Sequence, residues 1–277
     1  CLFHATFPLK RMEFNILKNT FRKRISLFIQ KPFVFEKADY SICSSAITKE
    51  IIQSALSLDN KKIINTGFPR SSFIDPSIQL PWDRDRAGSI CDLSRYDNFI
   101  YFVPTFRNDR NFDWFSFGYE QEKLMSFLES SNSIMIFRFH PFELSKINAK
   151  KKLENERIII ESHGISDPYP LVSKASILIT DYSSIFADFL LVDKPIIFAN
   201  FDHQSYINNE RELYWDYDEM TPGAKASDWD TLLSELQNIL IKKNDSYKEE
   251  RKKMLNLIYD HPSEAVLENV TNMINSN

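Results

Sequence analysis

Glycine is scarce in this chain, 5 of 277 residues, and neither a G-x-G-x-x-G run nor a G-x-x-x-x-G-K-[ST] loop occurs. Phosphate loops built from glycine backbone are thereby excluded, so any phosphate site must use hydroxyls, basic side chains and helix ends. Cysteine is limited to Cys1, Cys43 and Cys91. Their wide spacing gives neither a disulfide framework nor a metal-ligand pattern, which favours a reducing compartment. No H-x-x-x-H or C-x-x-C pattern is present, and metal-dependent transfer through an Asp-x-Asp site is not expected. No apolar run approaches the ~18–20 residues that a membrane span needs. Internal repeats and low-complexity tracts are also missing.

What is present is ordinary globular material: 43% hydrophobic and 26% charged residues, with phenylalanine heavily used at 23. At this length the chain accommodates two α/β lobes or one large one. Net charge is −4 but unevenly placed. Residues 1–37 carry eight Lys/Arg against Glu13 and Glu36, which is +6 locally and leaves −10 on the rest. Within that basic stretch Phe14, Leu17, Phe21, Ile25 and Phe28 recur every three or four residues and give one apolar helical face. Such a helix either lies on an anionic lipid surface or docks on its own domain with a solvated basic side. The chain opens on Cys1 within what reads as a motif, and is expected to lack its natural N-terminal part.

Ile177–Val192 organises the remainder. It reads as a short strand, a polar turn Asp181–Ser184, and an apolar-faced helix, followed after Lys194-Pro195 by a second strand, Ile196–Asn200. Asp181, Ser183 and Ser184 are residue types that accept from the free N–H groups of a helix's first turn. The corner either holds phosphate or is a plain capped helix. Elsewhere strands are expected at Ala38–Ser45, Lys61–Thr66, Asn98–Val103, Ser133–Phe139 and Arg157–Glu161. Helices are expected at Thr48–Leu58, Tyr119–Ser130, Glu143–Asn155, Tyr169–Lys174, Asp228–Lys242, Tyr247–Ile258 and Pro262–Ile274, with Phe201–Gly223 irregular. Residues 71–97, rich in Pro, Asp, Arg and Ser, read as a linker. Alternating β and α units predict an α/β fold with a parallel sheet covered on both faces.

Four strand ends carry anion-seeking or reactive residues: Pro104–Arg107, Arg138–Pro141, Asp181–Ser184 and Asn200–Asp202. Ligands of open parallel sheets bind beyond such ends. His140 either donates to a phosphate or carries a proton, or is structural. Arg107 either clamps a phosphate with its fork or forms an ion pair. His4, followed by Thr6 and Lys10, places an imidazole near hydroxyl and ammonium groups. His163, His203 and His261 have no evident partners and are read as structural or exposed.

These segments together resemble the CDP-glycerol glycerophosphotransferase family, the teichoic acid and capsule polymerases with a GT-B-like fold. The family's H-G-T-P-L-K is similar to His4–Lys10, its G-Y-P-R-N-D to Gly67–Ser72, and its P-T-W-R to Pro104–Arg107. Its H-P, T-D-Y-S-S and P-G motifs are similar to His140-Pro141, Thr180–Ser184 and Pro222-Gly223. Ala5 stands where the family has Gly, and Phe7 is inserted before Pro8. The resemblance implies a GT-B-like, Rossmann-like parallel sheet preceded by part of a second α/β lobe. Residues 1–79 would be the acceptor-side lobe and 80–277 the CDP-binding lobe. It implies transfer of a polyol phosphate from a CDP-linked donor to a hydroxyl of a cell-wall or capsule polymer, with CMP released. His4 would be the general base and His140 the pyrophosphate contact. Thr6, Lys10, Arg70, Arg107, Asp181, Ser183, Ser184 and Asp202 would bind substrate. No cofactor or metal and no nucleic-acid partner is expected. The acceptor would be lipid-linked, with residues 10–37 touching the membrane and the enzyme peripheral on its inner, cytoplasmic face. A GT-B glycosyltransferase using a nucleotide sugar and a non-catalytic nucleotide-binding module are the alternatives.

Overall fold

Strands rich in Ile and Phe, buried on both faces, build the centre of the molecule, as parallel sheets covered by helices require. The structure is a computed structural model, and it describes residues 6–12, 15, 40–74, 92–109, 112–140, 143, 153–161, 168–210, 212–261 and 263–276. The expected basic helix, the 79/80 lobe boundary and most of the expected 143–155 helix lie outside these residues.

A first parallel pair, β1 (Ser41–Cys43) and β2 (Ile63–Asn65), is joined by α1 (Ala46–Leu56) and followed by α2 (Arg70–Ile74). Ser45 starts α1 with a capping box in which its side chain and that of Thr48 satisfy each other's backbone N–H groups. A second sheet follows, built from β3 (Asn98–Phe102), β4 (Ser133–Phe137), β5 (Ile158–Ile160), β6 (Ile177–Thr180), β7 (Ile196–Ala199) and β8 (Ala224–Ala226). Its helices are α3 (Gln121–Ser130), α4 (Tyr169–Val172), α5 (Ile185–Phe189), α6 (His203–Asn209), α7 (Tyr217–Met220) and α8 (Trp229–Leu236). The chain closes with α9 (Lys248–Ile258) and α10 (Ser263–Ser276).

All six strands are parallel, in the order β5-β4-β3-β6-β7-β8. That is the doubly wound order in which the winding reverses between β3 and β6, the position where such sheets open a crevice at their carboxyl ends. Alternation along each strand feeds two cores. Phe99, Tyr101, Ile134, Ile136, Leu178, Ile196 and Phe198 face one. Ile100, Phe102, Met135, Phe137, Ile177, Ile179 and Ile197 face the other, where Trp229 stacks on Phe102 and Phe115.

Two features differ from the sequence reading. Phe201–Gly223 contains α6 and α7, and β8 joins the sheet as its edge. After β8 the chain passes through α9 and returns to the first sheet. There Asp260 N donates to Ser44 O (2.8 Å), Asn65 Nδ2 donates to Asp260 Oδ2 (2.8 Å), and His261 Nε2 meets Asn65 O (2.9 Å).

Candidate functional site

The crevice between β3 and β6 is held shut at its base by one buried cation. Arg107, 1% exposed, follows β3 and reaches across to the ends of β6 and β7. Its Nε and Nη2 donate to the two oxygens of Asp202 after β7 (2.7 and 2.8 Å), and its Nη1 pairs with Asp181 after β6 at 2.8 Å and donates to Thr105 O at 2.7 Å. Asp181 also accepts from Thr105 N at 2.7 Å. The rings of Tyr206, Trp114, Phe112 and Tyr182 lie 4.5–5.4 Å from the guanidinium carbon. Burial alone would lower the Arg107 pKa, but the Asp181 and Asp202 carboxylates outweigh it and hold the group above its ordinary value. The fork expected to clamp phosphate is therefore committed to two carboxylates.

Beyond this base, at the carboxyl ends of the strands, lie the other candidate groups. Ser183 and Ser184 are half-buried at the end of β6. Their expected role as caps is corrected by the geometry. Asp181 is engaged by β3's loop and not by α5, Ser184 makes no side-chain cap, and Ser183 Oγ approaches Ile185 N only at 3.5 Å. Ser184 is already helical in its backbone, so it cannot turn its hydroxyl back as an extended N-cap residue does. His140, exposed beyond β4, has its ring 5.0 Å from that of Phe106. Lys10 reaches the same place from the other end of the chain, Nζ to Thr105 Oγ1 at 3.5 Å.

Residues 6–12 are fastened there by an antiparallel bridge between Lys10 and Leu213. Tyr214 N donates to Leu9 O, Arg11 N donates to Glu212 O, and Phe7 stacks on Trp215. Thr6 and Arg70 belong to a second, deeper network around Asp188 of α5. Thr6 Oγ1 donates to Asp188 at 2.6 Å, and Arg70 Nη1 donates to Tyr169 Oη, which reaches the same carboxylate. His4 lies outside the described residues.

Residues left out of the expected site lie beside these groups, among them His203, which has a partner after all. His203 is half-buried beside the crevice with Nδ1 3.0 Å from Tyr182 Oη, and Tyr182 stacks on Tyr206 at 3.6 Å. Its position directly after the Asn200–Asp202 strand end is the clue the sequence offered. Tyr217 Oη donates to Asp181 O at 3.2 Å. Glu210 clasps the β3 loop, accepting from Asn108 N and Asn108 Nδ2. Among the described residues no group of three or more His, Cys, Asp or Glu is placed to hold a metal ion. Asp-x-Asp spacing does occur, at Asp216–Asp218 and Asp228–Asp230, but Asp216 and Asp228 cap helices: Asp216 accepts from the backbone of Asp218 and Glu219, and Asp228 from Thr231. A third occurrence, Asp83–Asp85, lies outside the described residues.

Comparison with known proteins places this geometry. The teichoic acid poly(glycerol phosphate) polymerase of Bacillus spizizenii is 28% identical over 225 residues, 77% of this chain and 52% of that protein. The teichoic acid glycerol-phosphate primase of Bacillus subtilis is 25% identical over 239 residues, covering 85% and 58%. The chain spans 31–60% of the length of such curated relatives. The solved wall teichoic acid polymerase TagF shares the fold, with a TM-score of 0.73 at 22% identity over 99% of this chain and 66% of that one. A UDP-GlcNAc 2-epimerase from Methanocaldococcus jannaschii is a more distant match to the same GT-B-type architecture, with a TM-score of 0.52 at 14% identity over 98% and 69%. The sequence model described as CDP-Glycerol:Poly(glycerophosphate) glycerophosphotransferase matches residues 1–276, and the chain belongs to that family.

Proposed function

We propose that this protein transfers a polyol phosphate, glycerol phosphate in the first instance, from a CDP-linked donor to a hydroxyl of a teichoic-acid-type wall polymer. The observation that carries the reading is family membership over residues 1–276. The β3/β6 crevice, rimmed by Ser183, Ser184, His140 and Lys10, supports it as a donor site. In this scheme the acceptor oxygen attacks the distal phosphorus of the donor, the bridging P–O bond breaks, and CMP leaves. Phosphoryl transfer asks mainly for positioning and charge stabilisation. The hydroxyls of Ser183 and Ser184 and the imidazole of His140 supply donors to the pyrophosphate, and Lys10 adds a positive charge. His4 takes the acceptor's proton. Arg107, Asp181 and Asp202 hold the strand ends under the donor, and Arg70 and Thr6 hold the acceptor-side loop. The division into an acceptor-side lobe, 1–79, and a donor lobe, 80–277, belongs to the same proposal.

No helix among the described residues is long and apolar enough to cross a membrane. A lipid-linked acceptor, peripheral contact at the inner membrane face through residues 10–37, and a capsule polymer as alternative product extend the proposal. The test is CMP release when CDP-glycerol meets a primed acceptor. His4→Ala and His140→Ala in the full-length protein each lower turnover by ~10²–10⁴-fold, the usual range for removing a general acid or base. EDTA leaves turnover unchanged, and CDP binds where UDP does not. Unchanged turnover in both variants, or equal binding of the two nucleotides, overturns the reading.

A further inference from the structure

The crevice and the Asp188 network are joined by one short helix. Ser183 and Ser184 precede α5, and Asp188 lies one turn further on, 2% exposed and surrounded by residues from four other segments. Thr6 of the N-terminal loop donates to Oδ1 at 2.6 Å. Tyr259, after α9, shares its hydroxyl proton between Ala187 O at 3.2 Å and the same oxygen at 3.4 Å. Tyr169 of α4 donates to Oδ2 at 3.3 Å, while its own hydroxyl accepts from Arg70 of α2 at 2.9 Å. A carboxylate that collects hydroxyl protons from three directions, with a guanidinium behind one of them, fixes the relative positions of everything that touches it.

The strongest of these bonds goes to Thr6, which is fully buried. From Thr6 the loop runs through the Leu9–Tyr214 bond and the Lys10–Leu213 bridge, and delivers the Lys10 ammonium to Thr105 at the crevice. We propose that Asp188 is a positioning residue: acting through Thr6, it sets the 6–12 loop and its Lys10 against the Ser183–Ser184 corner, so that the acceptor-side loop and the donor corner move as one body. Asp188 touches no reacting atom in this scheme. Its effect falls on the alignment of two halves of a site, where an error of about 1 Å costs on the order of 10²-fold in rate.

The proposal rests on the phosphotransfer reading, and the experiment separates the two. Four full-length forms are compared: wild type, Asp188→Asn, Thr6→Val and Thr6→Ser. Three quantities are read in each: CDP affinity, turnover of CDP-glycerol, and hydrogen exchange at the Arg11 and Tyr214 amides. Thr6→Val and Asp188→Asn are expected to weaken CDP binding, through the displaced Lys10, by much less than turnover, which falls ~10–100-fold. Exchange at the two amides accelerates in both, and Thr6→Ser, which restores the hydroxyl, returns all three readouts to wild type. Should Asp188→Asn fail to fold, Thr6→Val against Thr6→Ser carries the comparison alone. Wild-type exchange and turnover in Thr6→Val, or equal impairment in Thr6→Ser, overturns the proposal. If wild type itself releases no CMP, the phosphotransfer reading fails, and the exchange data still decide whether Asp188 holds the loop.

Discussion

At the scale of single residues, the informative contrast is between Arg107 and the groups around it. An arginine after a strand end in a chain of a glycerophosphotransferase family invites a role as a phosphate clamp. At 1% exposure, with two carboxylates and a carbonyl on its fork, it serves instead to tie three strand ends together. Breaking a buried pair by removing one partner leaves uncompensated charge and costs about 3–5 kcal/mol. Arg107→Met therefore leaves Asp181 and Asp202 buried without their cation, and is expected to lower unfolding free energy by that amount in urea titrations. Arg107→Lys keeps the charge but loses the two-pronged contact to Asp202, and falls between. A phosphate clamp would behave the opposite way, with wild-type stability in Arg107→Lys and a loss confined to CDP affinity.

At the scale of elements, the sheet was legible because its strands are runs of Ile, Phe and Leu bounded by polar turns. Ile177–Thr180 appears in the structure with the ends its sequence suggested. Strand β8 was not legible. It is three residues, Ala-Lys-Ala, with a lysine where a buried strand should be apolar. The structure supplies the missing reason: Lys225 Nζ donates to Thr221 O and Gly223 O and lies over the rings of Phe198 and Tyr217. Gly223 permits the approach, since a Cβ there would lie 2.2 Å from Ile196 O. The α6 and α7 turns were hidden in the same way, by being short and held by tertiary contacts rather than by periodicity. In the site, strand ends could be read from sequence, whereas the partners of Arg107 and Asp188 could not, because they come from positions far apart in the chain. The lysine in β8 has a measurable signature. Burial lowers its amine from 10.5 to about 8, with Asp218 opposing. Between pH 8 and 10.5 the unfolded chain then binds more protons than the folded one, so this group's contribution to stability rises with pH across that window. Wild type is expected to gain on Lys225→Met as pH goes from 7 to 9.5 in urea titrations. A difference that stays constant, or widens against wild type, contradicts the assignment.

At the scale of the whole molecule, the question is what keeps the small β1–β2 sheet folded. Two strands of three residues each do not stand alone in water and need cover from packed helices. α1 supplies part of it, with Ile51, Ile52 and Ala55 buried. The core shared with Phe99, Tyr101, Leu178, Phe186 and Phe189 supplies more, and the far end of the chain adds to it. Asp260 and His261 bond to Ser44 and Asn65, and Val266 of α10 sits against Gly67. Cys43, fully buried in β1 with its thiol pushed up to about 11 by burial, reports on this arrangement. A thiol both buried and protonated reacts slowly with disulfide reagents. In a Cys1→Ser, Cys91→Ser background, ending the chain after Tyr259 removes the Asp260 and α10 cover. Cys43 is then expected to react with Ellman's reagent at least ~10-fold faster in native buffer, because the opened state that exposes it becomes more populated. The other face of the six-stranded sheet, packed on Trp114, Leu124 and Trp229, has a core of its own, and the truncated chain is expected to lose only the α10 share of its far-ultraviolet circular dichroism. Equal thiol reactivity in the two forms would mean that α1 and the core shared with the six-stranded sheet suffice, and that the C-terminal return serves only to bring Tyr259 to Asp188.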